Sequence, residues 1–362
     1  MNRILRLLKK LVKRLEYRQE YQKRKKVMTS NYAKLSHKRK LTKEQKKEIQ
    51  DYYQRLIGHK VPLFSHEYFY SRTGVFNKEY VPTTLYHCDI IRKANYFPIM
   101  RAYTDKNLQD ILLEKENTVQ VILKNINGYY YYKGNPVSEE EAFSLCENID
   151  RAVIKPTCRS KGKGVHLISV KDGITSISNQ TLKQLFKLYG KNFIIQECVR
   201  QHEKMAALNP SSVNTIRIFS YRSGMEVLIL YSVIRIGRYG QVIDNQCAGG
   251  ISATITEDGK IGKEGFGGYT SDGILKTDSG VELDGYEIPS YDQAIDMVKR
   301  LHFKLPYADL VGWDVAIQED GKPVLIEFNT NTGLSQSAFK SGMGKYTERV
   351  IRELWSRPNS KY

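Results

Sequence analysis

Cysteine is scarce in this 362-residue sequence: Cys88, Cys146, Cys158, Cys198 and Cys247 are odd in number, widely spaced and free of any CxxC pair. That pattern argues against a disulfide framework or a cysteine zinc site and fits reduced thiols in a cytoplasmic setting. Long hydrophobic runs are missing too. No stretch approaches the ~18 uninterrupted apolar residues of a membrane span, and the first residues carry neither an apolar h-region nor a small-residue cleavage site. The familiar phosphate signatures are also lacking. There is no GxxxxGK[ST], no GxGxxG between strand and helix, and SGMGKYT fails because Tyr346 stands where Ser or Thr would be needed. Repeats and low-complexity segments are absent beyond the charged N-terminus.

What is present begins with 41% apolar residues, enough for a substantial core, and a formal charge of +18. The charge is concentrated at one end: residues 1–60 hold 20 Lys and Arg against 5 Asp and Glu, whereas the remainder holds 37 against 34. Within that end Ile4, Leu8, Leu11 and Leu15 recur at helical spacing, with Leu5 and Val12 alongside and Arg3, Arg6, Lys9, Lys10, Lys13 and Arg14 around them. The pattern predicts a basic amphipathic helix. Such a helix either lies on an anionic membrane surface through residues 1–20 or packs on the body of the protein. Nucleic-acid binding is not expected, because no zinc-finger, RNP or helix-turn-helix pattern accompanies the charge.

Four regions are expected: a basic helical extension over 1–40, a helical and irregular region over 41–104, a small lobe over 105–199 and a C-terminal lobe over 200–362. LTKEQKKEIQDYYQRLIG reads as a helix capped by Thr42 and ending near Gly58. Residues 61–104 show no clear period. From Val153 onward, strand-like runs alternate with turn signals, and TLKQLFKLYG and YDQAIDMVKRLHFKL read as helices. Strands arranged as hairpins around a few helices predict an α+β fold.

The most informative segment is GWDVAIQEDGKPVLIEFN. Asp320-Gly321 is a strong two-residue turn signal, and the hairpin it implies sets Glu319 opposite Lys322, Asp314 opposite Glu327 and Gly312 opposite Asn329. Val311, Trp313, Val315, Ile317, Val324, Ile326 and Phe328 then share the core face, leaving Asp314, Glu327 and Asn329 on the other. Like charges directly opposite one another are destabilising unless compensated. A divalent cation is the natural compensation, and oxygen ligands of this kind suit a hard ion such as Mg2+. The alternative is a solvated polar face.

Upstream, RAVIKP reads as a strand ending at Lys155, followed by the loop TCRSKGKG. Gly162 and Gly164 allow close backbone approach to a polyanion, and Arg159, Lys161 and Lys163 supply charge, although a soluble turn would look similar. In FIIQECV, Gln196 and Glu197 interrupt an apolar strand near its end, and Glu197 and Val199 could offer peptide groups to a planar base. Glu203, just beyond, could hold hydroxyl groups. The polar, glycine-containing stretch Asp244, Asn245, Gln246, Cys247, Ala248, Gly249 and Gly250 could form an acceptor site or simply a hairpin loop.

The order of these elements resembles the ATP-grasp superfamily, in which two α+β lobes clasp ATP. More narrowly, VIKPTCRSKGKGVHLI, NPSSVNTIRIFS, VIRIGRYGQVIDNQCAGGISA and VGWDVAIQEDGKPVLIEFNTNTG are similar to the sugar-transfer-associated branch. The resemblance implies that Lys106 and Lys155 hold ATP phosphates, that residues Gln196 to Val199 form the adenine hinge and that Glu203 contacts the ribose. It implies Asp314, Glu327 and Asn329 as Mg2+ ligands, and Arg217 and Arg235 near the transferred phosphoryl group. Thr332 departs from the proline of many members. The activity implied is a carboxylate-amine ligase acting through an acyl phosphate on a surface polysaccharide or its precursor. A phosphotransferase or a non-catalytic nucleotide-binding membrane adaptor are the alternatives.

Overall fold

The structure, a computed structural model, describes residues 2–159, 162–240, 249–268 and 273–357. Among these, thirteen strands form two antiparallel sheets, giving the expected α+β class. The first sheet contains β1 (Val121–Ile126), β2 (Tyr129–Tyr132), β3 (Asn135–Val137), β4 (Ile149–Pro156), β5 (His166–Lys171), β6 (Ile174–Thr175) and β7 (Phe193–Glu197). Its order is β3-β2-β1-β7-β4-β5-β6. Leu123, Ile154, Ile168 and Phe193 pack on Leu182, Leu185 and Phe186 of the helix Leu182–Tyr189, which opens with a capping box between Thr181 and Gln184.

The second sheet contains β8 (Thr215–Ser223), β9 (Glu226–Ile236), β10 (Ile251–Ile255), β11 (Ile261–Gly267), β12 (Leu310–Ile317) and β13 (Pro323–Asn329), in the order β11-β10-β9-β8-β12-β13. On one face Ile216, Ile218, Ile234, Trp313 and Val315 meet Ala294, Val298 and Leu301 of the helix Tyr291–His302. The other face carries Phe219, Tyr221, Leu228 and Leu310. It is covered by Tyr53, Leu56 and Ile57 of the helix Lys43–Ile57 and by Val350, Ile351 and Leu354 of the helix Thr347–Ser356. Every residue of β12 is consequently buried, including Asp314. Val81, Leu85, Ile90 and Ala94 join the same cluster, whereas Met100 and Tyr103 pack on the opposite face.

Thr42 caps the helix Lys43–Ile57 in a capping box with Gln45, and Gly58 ends it at φ 77°. Residues 61–104 fold into short helical pieces, including the π-turn Tyr86–Ile90. The N-terminal helix runs from Asn2 to Ala33. Its second half packs on the body, with Met28 beside Tyr68, Phe69 and Tyr80, whereas Leu5, Leu8, Leu11, Val12 and Leu15 remain exposed. Among the described residues no helix is long and apolar enough to cross a membrane.

The hairpin β12–β13 corrects two expectations. Gln318 N–H donates to Lys322 O and Gly321 N–H to Gln318 O, so the loop has three residues, Glu319, Asp320 and Gly321, with Gly321 at φ 83°. The strands therefore start one residue out of the expected register. A bulge between Asp314 and Val315 restores it, and Asp314 faces Glu327 and Gly312 faces Asn329 as expected. Between bulge and turn the faces of β13 are exchanged, whereas Val315 and Ile317 of β12 stay in the core as expected. Leu325 joins the main core, while Val324 and Ile326 turn with Ala316 toward Val119 on the first lobe.

Candidate active site

Glu197 N–H donates to Gln120 O within the first sheet, and the segment after β7 reaches the second sheet's hairpin, where Glu319 N–H donates to Arg200 O and His202 N–H to Ile317 O. A cleft of about 850 Å³ lies between the lobes there, within the usual size of small-molecule sites. Its walls are Lys115, Glu116 and Thr118 to Gln120, the hinge residues Glu197, Cys198, Val199 and Arg200, the turn Gln318 to Asp320, and Val324. The predicted hinge thus lines a cleft through Glu197 and Val199, while Gln196 is buried and its Nε2 donates to Val119 O at 3.3 Å. Glu203 is exposed in the first turn of the helix Glu203–Leu208 and is not among the lining residues. The exchange of faces in the hairpin explains Val324, which reaches this cleft because it does not reach the main core.

Farther along the hairpin the charged residues converge. Asp314 lies in β12 between Arg217 of β8 and Glu327 of β13. Arg217 donates to both carboxylate oxygens of Asp314, at 2.5 Å from Nε and 2.6 Å from Nη2, and Arg235 donates from Nη1 at 3.1 Å. Burial would raise the Asp314 carboxyl, but the two guanidinium groups outweigh it and hold it below the usual carboxylate range. Glu327 pairs with Lys106 at 3.2 Å and accepts from Asn329 Nδ2 at 3.4 Å. Burial opposes its ionisation as well, and Lys106 with Lys155 prevails, so it too stays low. Lys155 is pushed down to about 8 by burial, with Glu327 opposing that shift and Lys106 adding to it.

The glycine loop reaches the same place, since Lys106 Nζ donates to Arg159 O at 3.3 Å. Gly162 and Gly164 both take left-handed backbone conformations, at φ 70° and 75°. Lys161 lies outside the described residues, as do Asp244, Asn245, Gln246, Cys247 and Ala248. Gly249 and Gly250 lead into β10, where Ser252 pairs with Arg235. They therefore adjoin the arginine end of the site.

Two features escaped the sequence reading. Thr332 Oγ1 accepts from Arg217 Nη1 at 2.8 Å, a contact that proline could not make. Beneath the site, Trp313 Nε1 donates to Ser220 Oγ at 2.7 Å, Ser220 Oγ lies 2.8 Å from His302 Nδ1, and His302 Nε2 lies 2.9 Å from Ala308 O. This buried chain fixes Trp313, the neighbour of Asp314. Nothing local in the sequence reveals it, because Ser220, His302 and Trp313 are far apart along the chain.

Four cationic side chains, Arg217, Arg235, Lys106 and Lys155, thus surround two carboxylates. The donor chemistry fits a hard divalent ion, since Asp314 and Glu327 face each other and Asn329 adds an amide. The excess of positive charge fits a polyanion arriving with that ion.

Comparison with known proteins identifies the family of the chain. The family described as sugar-transfer associated ATP-grasp matches residues 89–351. Against curated proteins nothing matches. Among solved structures, the chain resembles the biotin carboxylase domain of Hydrogenobacter thermophilus 2-oxoglutarate carboxylase in complex with MgADP and bicarbonate. The identity is 12%, the coverage 75% of this chain and 49% of that one, and the TM-score 0.43. It also resembles the ATP-grasp ligase PsnB complexed with a precursor variant, Mg and ADP (12%, 75% and 67%, TM-score 0.41). A third is an L-amino acid ligase from Bacillus licheniformis (11%, 72% and 50%, TM-score 0.39). The chain spans about half the length of the carboxylase domain and of the amino acid ligase. Because the family match covers most of the sequence, from the π-turn Tyr86–Ile90 to the C-terminal helix, this chain belongs to the sugar-transfer associated ATP-grasp family.

Proposed function

We propose that this protein is an ATP-dependent carboxylate-amine ligase that modifies a cell-surface polysaccharide or its precursor. The observation that carries the reading is the convergence of Asp314, Glu327, Arg217, Arg235, Lys106 and Lys155 beside an inter-lobe cleft. Glu197 to Val199 would hold the base of ATP, and Lys106, Lys155, Lys161, Gly162 and Gly164 would hold its phosphates. Asp314, Glu327 and Asn329 would hold Mg2+, which supplies charge neutralisation for the phosphates when bound.

A substrate carboxylate oxygen attacks the γ-phosphorus, the bond to the β-phosphate oxygen breaks, and ADP leaves with that electron pair. An amine then adds to the acyl phosphate carbon, loses a proton and expels inorganic phosphate, giving the amide. Arg217 and Arg235 would stabilise the oxyanion of that addition, and Gly249 and Gly250, with Asp244 and Asn245, are the candidate acceptor loop. Glu203, exposed at the start of the helix Glu203–Leu208, is the candidate ribose contact.

The likeness to a family associated with sugar transfer supports a glycan-linked carboxylate or amine, and the exposed basic helix supports a peripheral site of action on an anionic membrane through residues 1–20. ADP release measured over amino acids and uronic acids tests the reaction. A ligase requires both partners, a phosphotransferase turns over without amine, and an adaptor binds ATP with no turnover.

A further inference from the structure

The N-terminal helix is one element with two environments. From Tyr17 onward it is held by the body: Tyr17 Oη donates to Asp89 Oδ2 at 3.1 Å, and Met28 is buried beside Tyr68, Phe69 and Tyr80. Before Tyr17 the apolar stripe Leu5, Leu8, Leu11, Val12 and Leu15 is between 47% and 54% exposed, and Lys9, Lys10, Lys13 and Arg14 flank it. No acidic residue precedes Glu16. A leucine stripe in a purely basic setting is complementary to an anionic lipid surface, with each basic residue near the surface adding about 1 kcal/mol. At 1.5 Å per residue the exposed half of the helix is roughly 20 Å long.

The place where this helix leaves the body is the second observation. Glu20 and Arg24 lie close to the buried His87, as does the Asn331 side chain. Asn331 adjoins Thr332, whose hydroxyl accepts from Arg217, the residue that grips Asp314. The helix therefore emerges at the loop bordering the arginine side of the site. The nucleotide cleft at Glu197 to Arg200 is formed by other segments.

From this juxtaposition we infer that the exposed leucine stripe of the helix docks on an anionic membrane and that the glycan acting at the arginine side is lipid-linked, presented from that membrane. The inference rests on the ligase reading for the reaction but on the helix for the source of the substrate. A docked helix keeps the loop at Asn331 and Thr332 within a few sugar lengths of the lipid headgroups. A soluble saccharide would gain nothing from such an attachment.

The test uses the full chain, vesicles of phosphatidylglycerol, and two fractions of host-cell glycan precursors, one lipid-soluble and reconstituted in those vesicles, the other aqueous. Wild type should co-sediment with the vesicles, and more so when they carry the lipid fraction. Leu8→Glu/Leu11→Glu should lower sedimentation at least tenfold while leaving Mg-ATP binding unchanged. Equal sedimentation of variant and wild type overturns the docking, and vesicles with and without the lipid fraction pelleting equal amounts overturns the lipid-linked substrate. In the same mixtures amine-dependent ADP release should follow the lipid fraction. Release with the aqueous fraction alone contradicts the inference and leaves the ligase reading standing. Absence of release with both contradicts the ligase reading, while sedimentation still decides the inference.

Discussion

Arg217 holds Asp314 by two parallel hydrogen bonds of 2.5 and 2.6 Å from the adjoining strand, so one of the best-buried carboxylates in the protein is neutralised by a residue of the proposed catalytic set. Such a pair does more than position an arginine. A buried carboxylate deprived of its partner is uncompensated, at a cost of about 3–5 kcal/mol. Arg217→Ala should therefore lower unfolding stability by about that amount in urea titration. Adding Asp314→Asn should recover most of the loss, because the stranded charge is then gone. A loss that persists in the double variant would show that packing, and not the charge, is at stake.

The same electrostatics predict the order of binding. With four cations around two carboxylates, a free divalent ion meets net positive charge, whereas the ion together with a polyphosphate does not. Calorimetry should find weak or undetectable Mn2+ binding alone and at least tenfold tighter binding in the presence of a non-hydrolysable ATP analogue. Equal affinity in both conditions would contradict the charge count.

Gly312 tests the packing of the site. A Cβ there would come within 2.8 Å of Thr332 Cγ2 and 3.4 Å of Arg217 Cδ. Gly312→Ala should displace the Thr332–Arg217 pair and reduce kcat at least tenfold, with a stability loss on the order of 1–3 kcal/mol. Thr332→Ser removes the offending methyl and keeps the hydroxyl, so Gly312→Ala/Thr332→Ser should regain most of the activity.

His302 links stability to pH. Burial pushes its imidazole down to about 4, well below an unfolded value of about 6.5, with the Ala308 carbonyl opposing the shift. The unfolded chain thus binds the proton more readily between those values. The neutral ring's contribution is fully present above pH 6.5 and is lost as pH falls toward 4, on the order of 3 kcal/mol in all. Buried His66, pushed down to about 4, acts in the same direction. Urea midpoints from pH 7 to 5 should fall, and His302→Gln should fall less steeply by up to about 1.4 kcal/mol per pH unit.

The sequence made the site more legible than the fold around it. Facing carboxylates at Asp314 and Glu327 followed from strand alternation, yet the turn has three residues and a bulge cancels the error before the charged pair is reached. Local turn propensity cannot reveal a bulge, because the bulge depends on which lobe Val324 and Ile326 meet. β1, β2 and β3 were not read: the tyrosine run 129–132 lacks apolar alternation, and its rings are only partly buried. Residues 61–104 hid their helices because these are short and interrupted by a π-turn. The long N-terminal helix was visible as a pattern, but only the structure separates its anchored half from its exposed half.

The central claim is that Asp314 and Glu327 bind Mg2+ together with the phosphates of ATP, and isothermal titration of Asp314→Asn/Glu327→Gln tests it most directly. Folding should be verified by the cooperativity of urea unfolding. The account predicts that wild type binds ATP at least a hundredfold more tightly with Mg2+ than without, and that the double variant shows no Mg2+-dependent gain. A folded double variant that retains the full Mg2+-dependent affinity would contradict it.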